Sequence, residues 1–220
     1  MIYVRQLLNA DEISQINSIM ESEGTWVDGT ISTEHNDLSI KSNLEYSADV
    51  SLIAQIIYTA LDRDLTFIGK VAADSTTVPI LSRTVEGGFY RPHQDRHDIG
   101  HYSTTVFLNS PEEYDGGYLR IYDHEVSEYK LEAGHAVTYN TGYIHEVSEV
   151  TRGKREVSVF WTHSHFAPNY KSDIFIHLGK LKNNLLSEGR PTSIEEAIEH
   201  PGFMVETISE NFNRMNMTDH

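Results

Sequence analysis

Cysteine is absent from this sequence of 220 residues. Disulfide bonds, thiolate metal sites and cysteine nucleophiles are therefore excluded together. An absence of cysteine also agrees with a reducing compartment, so we expect a cytoplasmic protein.

Long apolar runs are missing as well, and none approaches the roughly 20 residues that a transmembrane helix needs. Residues 1–8 contain no basic segment followed by a long apolar one, so the sequence predicts no secretion signal. Hydrophobic residues make up 39% of the chain and charged residues 23%, which is typical of a soluble globular protein. We therefore expect no membrane association.

Basic residues are scarce, because 17 lysines and arginines stand against 33 acidic residues and the formal net charge is −16. A surface this negative repels phosphate backbones, which makes nucleic acid a poor partner. Two interpretations of the charge remain open, namely attraction of a basic substrate and simple solubility. The charge therefore disfavours one class of partner and selects none.

Two N-terminal segments have the apolar spacing of amphipathic helices. The first covers residues 10–22 and the second covers about 48–62. Between them, the polar segment that begins with Trp26-Val27-Asp28-Gly29-Thr30 is predicted to be a loop or an edge strand.

From about residue 80 the pattern changes to short strands that are separated by glycine, proline and asparagine turns. Many short strands at this spacing predict an all-β sandwich, jelly roll or barrel. The predicted strands cover residues 81–90, 103–109, 117–122, 127–131, 135–139, 145–150 and 154–163.

The whole chain, residues 1–220, is predicted to form one domain, because no low-complexity linker interrupts it. We assign residues 1–79 to a helical N-terminal support and residues 80–166 to a β core. Helical spacing returns after Pro168, so residues 167–220 are assigned to a C-terminal helical segment. The predicted fold class is therefore mainly β with flanking helices.

The motif His93-Gln94-Asp95, at the end of the first strong strand, carries the first candidate metal ligands. Residues i and i+2 of a strand point to the same face, so His93 and Asp95 can converge on one ion. Two histidines and one carboxylate, with further positions left open, form the site type of non-haem Fe(II) oxygenases. The open positions would take a 2-oxo acid and O2, and the third ligand must come from a distant strand.

His145 is the predicted third ligand, since it follows a turn and begins a strand. Arg155 lies ten residues further along the chain. In a hairpin that folds at residues 151–154, these two residues would lie on adjacent antiparallel strands. The Arg155 guanidinium could then bind the far carboxylate of a five-carbon diacid through two hydrogen bonds.

The pentapeptide His-Glu-Val-Ser-Glu occurs twice, at residues 124–128 and 145–149, which makes His124 a rival third ligand. The residue ten positions after His124 is Gly134, which has no side chain to bind a carboxylate. His124 is also expected at the tip of a hairpin. We therefore prefer His145.

A zinc site on a helix is another alternative, because His93, His97 and His101 have i, i+4 spacing. Pro92 and Gly100 flank this stretch and disfavour a helix. We favour the strand interpretation, and we interpret His97 as a loop residue near the entrance of the site.

The residues around these candidates resemble the PKHD-type hydroxylases, bacterial relatives of prolyl 4-hydroxylases within the 2-oxoglutarate oxygenase superfamily. The resemblance covers nearly the whole chain. It is carried by Trp26-Val27-Asp28-Gly29, Tyr90-Arg91-Pro92-His93-Gln94-Asp95, Thr105-Val106-Phe107-Leu108-Asn109, Glu113-Tyr114-Asp115-Gly116-Gly117, His145-Glu146-Val147, Val150-Thr151-Arg152-Gly153-Lys154-Arg155 and Phe160-Trp161.

The resemblance implies a double-stranded β-helix, which is the jelly-roll core also found in cupins. It implies Fe(II) at His93, Asp95 and His145, with 2-oxoglutarate at Arg155, O2 as the second co-substrate and ascorbate as a reductant for the iron. Because the histidine ligands must be neutral, iron affinity is expected to fall once the pH drops below the histidine range.

One departure from the pattern concerns Phe107, which stands where animal oxygen-sensing prolyl hydroxylases have a tyrosine that helps to bind 2-oxoglutarate. A phenyl ring offers no hydroxyl group. Thr105 and Tyr139 are therefore the candidates for the partner of Arg155. Tyr90 is a candidate for orienting the cofactor or lining the pocket.

Trp161 alternates along a strand with Arg155, Val157 and Val159, so it is predicted to face the interior of the barrel. Core packing is its expected role. Gly116-Gly117 is interpreted as a tight turn between strands.

Together these features predict a hydroxylase that couples oxidative decarboxylation of 2-oxoglutarate to succinate with hydroxylation of a C–H bond. The resemblance favours a peptidyl residue, such as proline, as the substrate. A free amino acid or small metabolite is the first alternative. A non-catalytic metal-binding β-barrel is the second, although such a module has no need for a carboxylate-binding group at Arg155. The sequence leaves the oligomeric state open.

Overall fold

The computed structural model describes residues 1–22, 24–32, 39–96, 98–123, 125–166, 168, 170–187, 189, 191 and 193–216. The chain separates into two compact units, Met1–Phe166 and Ala167–His220. The assignment of the chain to a single domain stays a prediction. Among the described residues, no helix has the length and apolar character needed to cross a membrane.

The first unit begins with helices that lie between short strands, in the order β1 (Ile2–Gln6), α1 (Ala10–Ser22), β2 (Trp26–Asp28), β3 (Lys41–Ser42), β4 (Leu44–Tyr46), α2 (Ser51–Arg63) and α3 (Leu65–Val71). The helix predicted at 10–22 is confirmed. The helix predicted at about 48–62 is also confirmed, although α2 begins later, at Ser51. Asp64 separates α2 from α3, because its carboxylate accepts the N–H groups of Thr66 and Phe67 as an N-cap. Strand β1 was not predicted.

The β core follows with β5 (Ala73–Thr76), β6 (Ile80–Val85), β7 (Phe89–His93), β8 (Tyr102–Phe107), β9 (Tyr114–Gly116), β10 (Leu119–Tyr122), β11 (Val126–Tyr129), β12 (His135–Asn140), β13 (Ile144–Val147) and β14 (Val150–Ser164). Apart from the first, the predicted strands are confirmed with small shifts, whereas β5 and β9 were not predicted. The single strand predicted at 81–90 is wrong, because a turn at residues 86–88 divides it into β6 and β7.

Two antiparallel sheets build the core. The larger has the order β1-β12-β8-β14-β6-β4-β2, with β5 and β9 also paired to β14, and the smaller has the order β11-β10-β13-β7-β3. Phe107, Val137 and Val157 pack with Leu119 and Ile121 in one buried cluster. Because the first three come from the larger sheet and the other two from the smaller, this cluster joins the sheets.

The three helices cover the outer face of the larger sheet. All six residues of β8 are buried, which shows that this strand is covered on both faces. On the helix side, Val106 and Phe160 pack against Ile16 of α1, Ile57 of α2 and Phe67 of α3. The mainly β class with flanking helices is therefore confirmed.

The hairpin expected at residues 151–154 is wrong. These residues lie inside β14, which runs over 15 residues and pairs with β9 along its first part. A Cβ at Gly153 would lie 2.1 Å from the carbonyl oxygen of Glu113, and its φ of +75° suits glycine. The glycine thus permits close strand pairing here instead of a turn. His145 and Arg155 consequently lie in different sheets.

The second unit contains α4 (Tyr170–Leu186), α5 (Ile194–Glu199) and α6 (Pro201–Asn216), in agreement with the predicted C-terminal helical segment. Helix α6 begins with proline, whose missing N–H would have no partner in the first turn. A Cβ at Gly202 would lie 2.9 Å from the Cδ2 atom of Leu186, so glycine allows α4 and α6 to approach closely.

We predict that Ile57→Ala will lower the free energy of unfolding by about 2–5 kcal/mol, because the side chain is fully buried between α2 and the larger sheet. Leu52→Ala on the same helix is the matched control. Leu52 is 63% exposed, so its truncation should change stability by roughly 0.5 kcal/mol or less. Urea unfolding of both variants measures the difference, and equal losses would contradict this packing.

Candidate functional site

His93 and His145 are held together by strand pairing. His93 ends β7, His145 lies in β13, and the two residues are direct partners in the antiparallel register. Directly opposed residues have Cβ atoms about 4.5–5.5 Å apart, so their side chains can meet on one face. The ring centroids lie 4.2 Å apart.

Asp95 joins the two histidines from outside the sheet. It lies beyond the end of β7, so the expectation that strand alternation alone would orient it is wrong. Its Oδ1 atom is 3.7 Å from Nε2 of His145, and potential ligand atoms of His93, Asp95 and His145 all lie within 4.8 Å of one another. Within the described residues, this is the one group of three histidine or acidic side chains with metal-site spacing.

The hydrogen bonds of the two imidazoles decide which nitrogen is free. Nδ1 of His93 is 2.8 Å from the carbonyl oxygen of Arg91, and Nδ1 of His145 is 3.0 Å from that of Tyr143. A carbonyl can only accept, so each Nδ1 carries a proton and donates it. Each Nε2 is then left with a lone pair, as a metal ligand requires.

Burial keeps both imidazoles neutral. It lowers the pKa of His93 to about 4, with help from repulsion by His145, and it lowers the pKa of His145 to about 4. Burial raises the pKa of Asp95, while the indole N–H of Trp161 opposes that rise. Iron affinity is therefore expected to fall only at a pH below the ordinary histidine range.

The three side chains open into a cavity of about 390 Å³ between the sheets. Arg155 reaches the same cavity from β14 and is only 2% exposed. Its Nε atom has no hydrogen-bond partner, and no aspartate or glutamate among the described residues pairs with the guanidinium. Burial lowers the pKa of Arg155. A buried cation in this state favours an anion as its partner.

The other predicted contacts also line this cavity. Tyr139 is buried and its ring meets that of His145 edge-on at 5.1 Å, while Thr105 lies on the neighbouring strand β8. Tyr90 stacks on His93 with ring centroids 3.7 Å apart. Burial raises the pKa of Tyr90 to about 12 and also raises the pKa of Tyr139, so both hydroxyls stay protonated at neutral pH and can donate.

Comparisons with known proteins agree with this geometry. The model of the 2OG-Fe(II) oxygenase superfamily matches residues 80–163. A PKHD-type hydroxylase of Gluconacetobacter diazotrophicus is 31% identical over an alignment of 194 residues, and the match covers 82% of this chain and 85% of the relative. A PKHD-type hydroxylase of Paracoccus denitrificans is 33% identical over 184 residues, covering 74% of this chain and 78% of the relative. The chain belongs to the PKHD-type hydroxylases.

Solved structures support the fold of this PKHD-type hydroxylase. A Pseudomonas putida prolyl-4-hydroxylase superposes with a TM-score of 0.53 at 19% identity, covering 75% of this chain and 93% of its own. A Trichoplax adhaerens prolyl hydroxylase, in complex with a peptide fragment, gives 0.59 at 14% identity, covering 74% and 83%. The core is therefore the predicted jelly roll. The protein is a 2-oxoglutarate-dependent dioxygenase that uses Fe(II), 2-oxoglutarate and O2 for hydroxylation.

Trp161 has a role in this hydroxylase that packing alone does not describe. It faces the interior, as predicted, but its indole Nε1–H donates to Oδ2 of Asp95 at 2.9 Å. Its position six residues after Arg155 on one strand face was the available signal.

The turn interpretation of Gly117 was also incomplete, because a Cβ there would lie 3.1 Å from Cδ of Arg155.

His97, His101 and His124 are the other histidines that are candidates for metal binding. The helical zinc site is wrong, since His93 lies on β7 and the residues described between it and His101 form no helix. His97 and His124 lie outside the described residues.

We predict that the imidazoles of His93 and His145 stay neutral in the metal-free hydroxylase until the pH approaches about 4. In the urea-unfolded chain, both imidazoles should titrate with a pKa of about 6.5. Between these values the unfolded chain binds more protons, so the two imidazoles destabilise the metal-free fold as the pH falls. Ring resonances followed by NMR with and without urea measure this, and titration near 6.5 in the folded protein would contradict it.

Proposed function

We propose that Fe(II) is bound by Nε2 of His93, Nε2 of His145 and Oδ1 of Asp95. The observation that carries this proposal is their convergence, within 4.8 Å, in the cavity that also contains the unpaired Arg155. Two neutral imidazoles and a carboxylate are the donor set of non-haem Fe(II) oxygenases. Hydrogen bonds from each Nδ1 to a backbone carbonyl favour the tautomer that such binding needs.

We further propose that Arg155 binds the distal carboxylate of 2-oxoglutarate. Its guanidinium offers a planar pair of donors that fits a carboxylate, and burial strengthens this contact. The ring of Phe107 lies 5.3 Å from the guanidinium carbon and brings no hydroxyl. Tyr139 and Thr105 are the hydroxyl-bearing neighbours that complete the site, while Tyr90 orients His93 through ring stacking.

The chain positions the reactants, and the bound iron supplies the oxidation of 2-oxoglutarate by O2 that drives hydroxylation. Arg155 fixes the far end of the co-substrate and so directs its 2-oxo acid end. Val157, Val159 and Leu119 give this part of the cavity apolar walls.

A peptidyl residue such as proline is the proposed substrate. One similar structure is a prolyl hydroxylase in complex with a peptide fragment of a hypoxia-inducible factor. In the present chain, Ile80, Phe89, Ile99 and Val159 add apolar surface to the cavity, which suits an uncharged ring better than a charged side chain. A free amino acid or small metabolite remains the competing class.

We predict that Asp95→Ala will lose Fe(II) binding and turnover, whereas Asp98→Ala will keep both. Asp95 is half-buried, its Oδ1 lies 3.7 Å from Nε2 of His145, and it falls within the same group of potential ligand atoms as His93. Asp98 lies three residues on, is half exposed and pairs with Arg96 on the surface, where an ion pair is worth about 1 kcal/mol or less. Iron content after reconstitution and succinate release measure both properties. Equal loss in the two variants would contradict the metal assignment.

Arg155→Leu should leave Fe(II) binding nearly intact while weakening 2-oxoglutarate. A charge-assisted two-point contact of a buried guanidinium contributes about 2–4 kcal/mol. The dissociation constant should therefore rise by roughly 30- to 1,000-fold. Anaerobic titration of the iron-loaded protein with 2-oxoglutarate measures it, and unchanged affinity would remove Arg155 from the site.

The substrate class can be tested by incubating the iron-loaded protein with 2-oxoglutarate, O2 and two matched peptide libraries. The libraries are proline-containing peptides and the same peptides with alanine in place of proline. We expect one added oxygen atom, found by tandem mass spectrometry at proline, together with stimulated succinate release. Stimulation by free amino acids alone would contradict the peptidyl substrate and leave the iron and 2-oxoglutarate assignments intact.

A further inference from the structure

Asp95 differs from the two histidines in how it is held. His93 and His145 are fixed by the pairing of β7 with β13, but Asp95 lies beyond the last residue of β7. A residue outside a sheet has no strand ladder to orient its side chain. Some other contact must therefore turn one oxygen of Asp95 toward the imidazoles.

The two carboxylate oxygens of Asp95 have different neighbours. Oδ1 lies 3.7 Å from Nε2 of His145, whereas Oδ2 accepts the indole N–H of Trp161 at 2.9 Å. A carboxylate that is held at one oxygen presents the other in a fixed direction. The indole nitrogen is only a donor and does not titrate near neutral pH, so this contact is retained whatever the charge of the histidines.

Trp161 is itself firmly anchored. It lies in β14, where its backbone pairs with Ser103 of β8. Its backbone N–H donates to the Thr77 hydroxyl at 3.0 Å, and its carbonyl accepts the Thr77 N–H at 2.9 Å. The indole therefore projects from a rigid element, as a group that orients a metal ligand should.

We propose that Trp161 is the positioning residue that keeps Asp95 a one-oxygen metal ligand. This inference rests on the proposed metal site. Two imidazoles and one oxygen occupy three positions of a six-coordinate ion and leave three for the co-substrates. A carboxylate free to turn could bind through both oxygens and take one of those positions. The indole N–H prevents this by occupying Oδ2.

Trp161→Phe is the direct test, because it keeps an aromatic ring and removes the N–H group. The chain contains 2 tryptophans, so Trp26→Phe is a matched control. Trp26 packs edge-on against Tyr46 and is not among the cavity-lining residues. We expect the dissociation constants for Mn(II) and Co(II) to rise roughly 10- to 100-fold in Trp161→Phe and to stay unchanged in Trp26→Phe.

The absorption spectrum of bound Co(II) separates positioning from packing, since it reports the number and type of ligands. At saturating Co(II), the spectrum should change in Trp161→Phe and remain that of the unmodified protein in Trp26→Phe. Unchanged metal affinity together with an unchanged spectrum in Trp161→Phe would overturn the proposal. Weaker binding with an unchanged spectrum would overturn it as well, because only packing would then have been lost.

Asp95→Ala distinguishes this inference from the function on which it rests. If Asp95→Ala binds metal like the unmodified protein, the proposed metal site itself fails. If Asp95→Ala loses metal while Trp161→Phe keeps both affinity and spectrum, only the role of Trp161 fails.

Should Trp161→Phe not fold, the indole N–H resonance of Trp161 in otherwise unmodified protein provides the test. We expect that resonance to shift, and its exchange with solvent to quicken, on Asp95→Ala, while the Trp26 resonance does not respond. An unaffected Trp161 resonance would overturn the proposal.

Discussion

The direct pairing of His93 with His145 across β7 and β13 is the constraint on which the rest of the site depends. It holds the two imidazoles 4.2 Å apart through backbone geometry, and each ring is then oriented by its own backbone carbonyl. The opposite wall comes from β14, which brings Arg155 and Trp161 to the same cavity. Since β14 pairs with four other strands, this wall is rigid and the site is preorganised.

Arg155 places a buried positive charge in the cavity, and a buried cation favours an anionic partner. Arg155 is almost completely enclosed, and the described part of the chain supplies no carboxylate to pair with it. Such a buried cation costs stability unless an anion binds. The protein is acidic overall, yet Arg155 contributes a buried cation to the cavity. The net charge of the chain therefore does not indicate the local charge inside the cavity.

Local patterns in the sequence were sufficient to predict two of the three α-helices of the first unit, most strands and the residues that meet in the cavity. His93, Asp95, His145 and Arg155 could be selected from spacing and residue type alone. The contact of Trp161 with Asp95 could not, because it joins residues 66 positions apart in different parts of the fold. The hairpin at 151–154 was wrong because turn-like residues there pair with β9, a strand too short to be recognised.

We expect one metal ion and one 2-oxoglutarate to meet in this cavity. A crystal structure with Mn(II) and 2-oxoglutarate, with the metal located by anomalous scattering, tests it most directly. The metal should lie between the Nε2 atoms of His93 and His145 and Oδ1 of Asp95, and the distal carboxylate of 2-oxoglutarate should contact Arg155. A metal peak elsewhere, or a carboxylate that does not contact Arg155, would contradict the account.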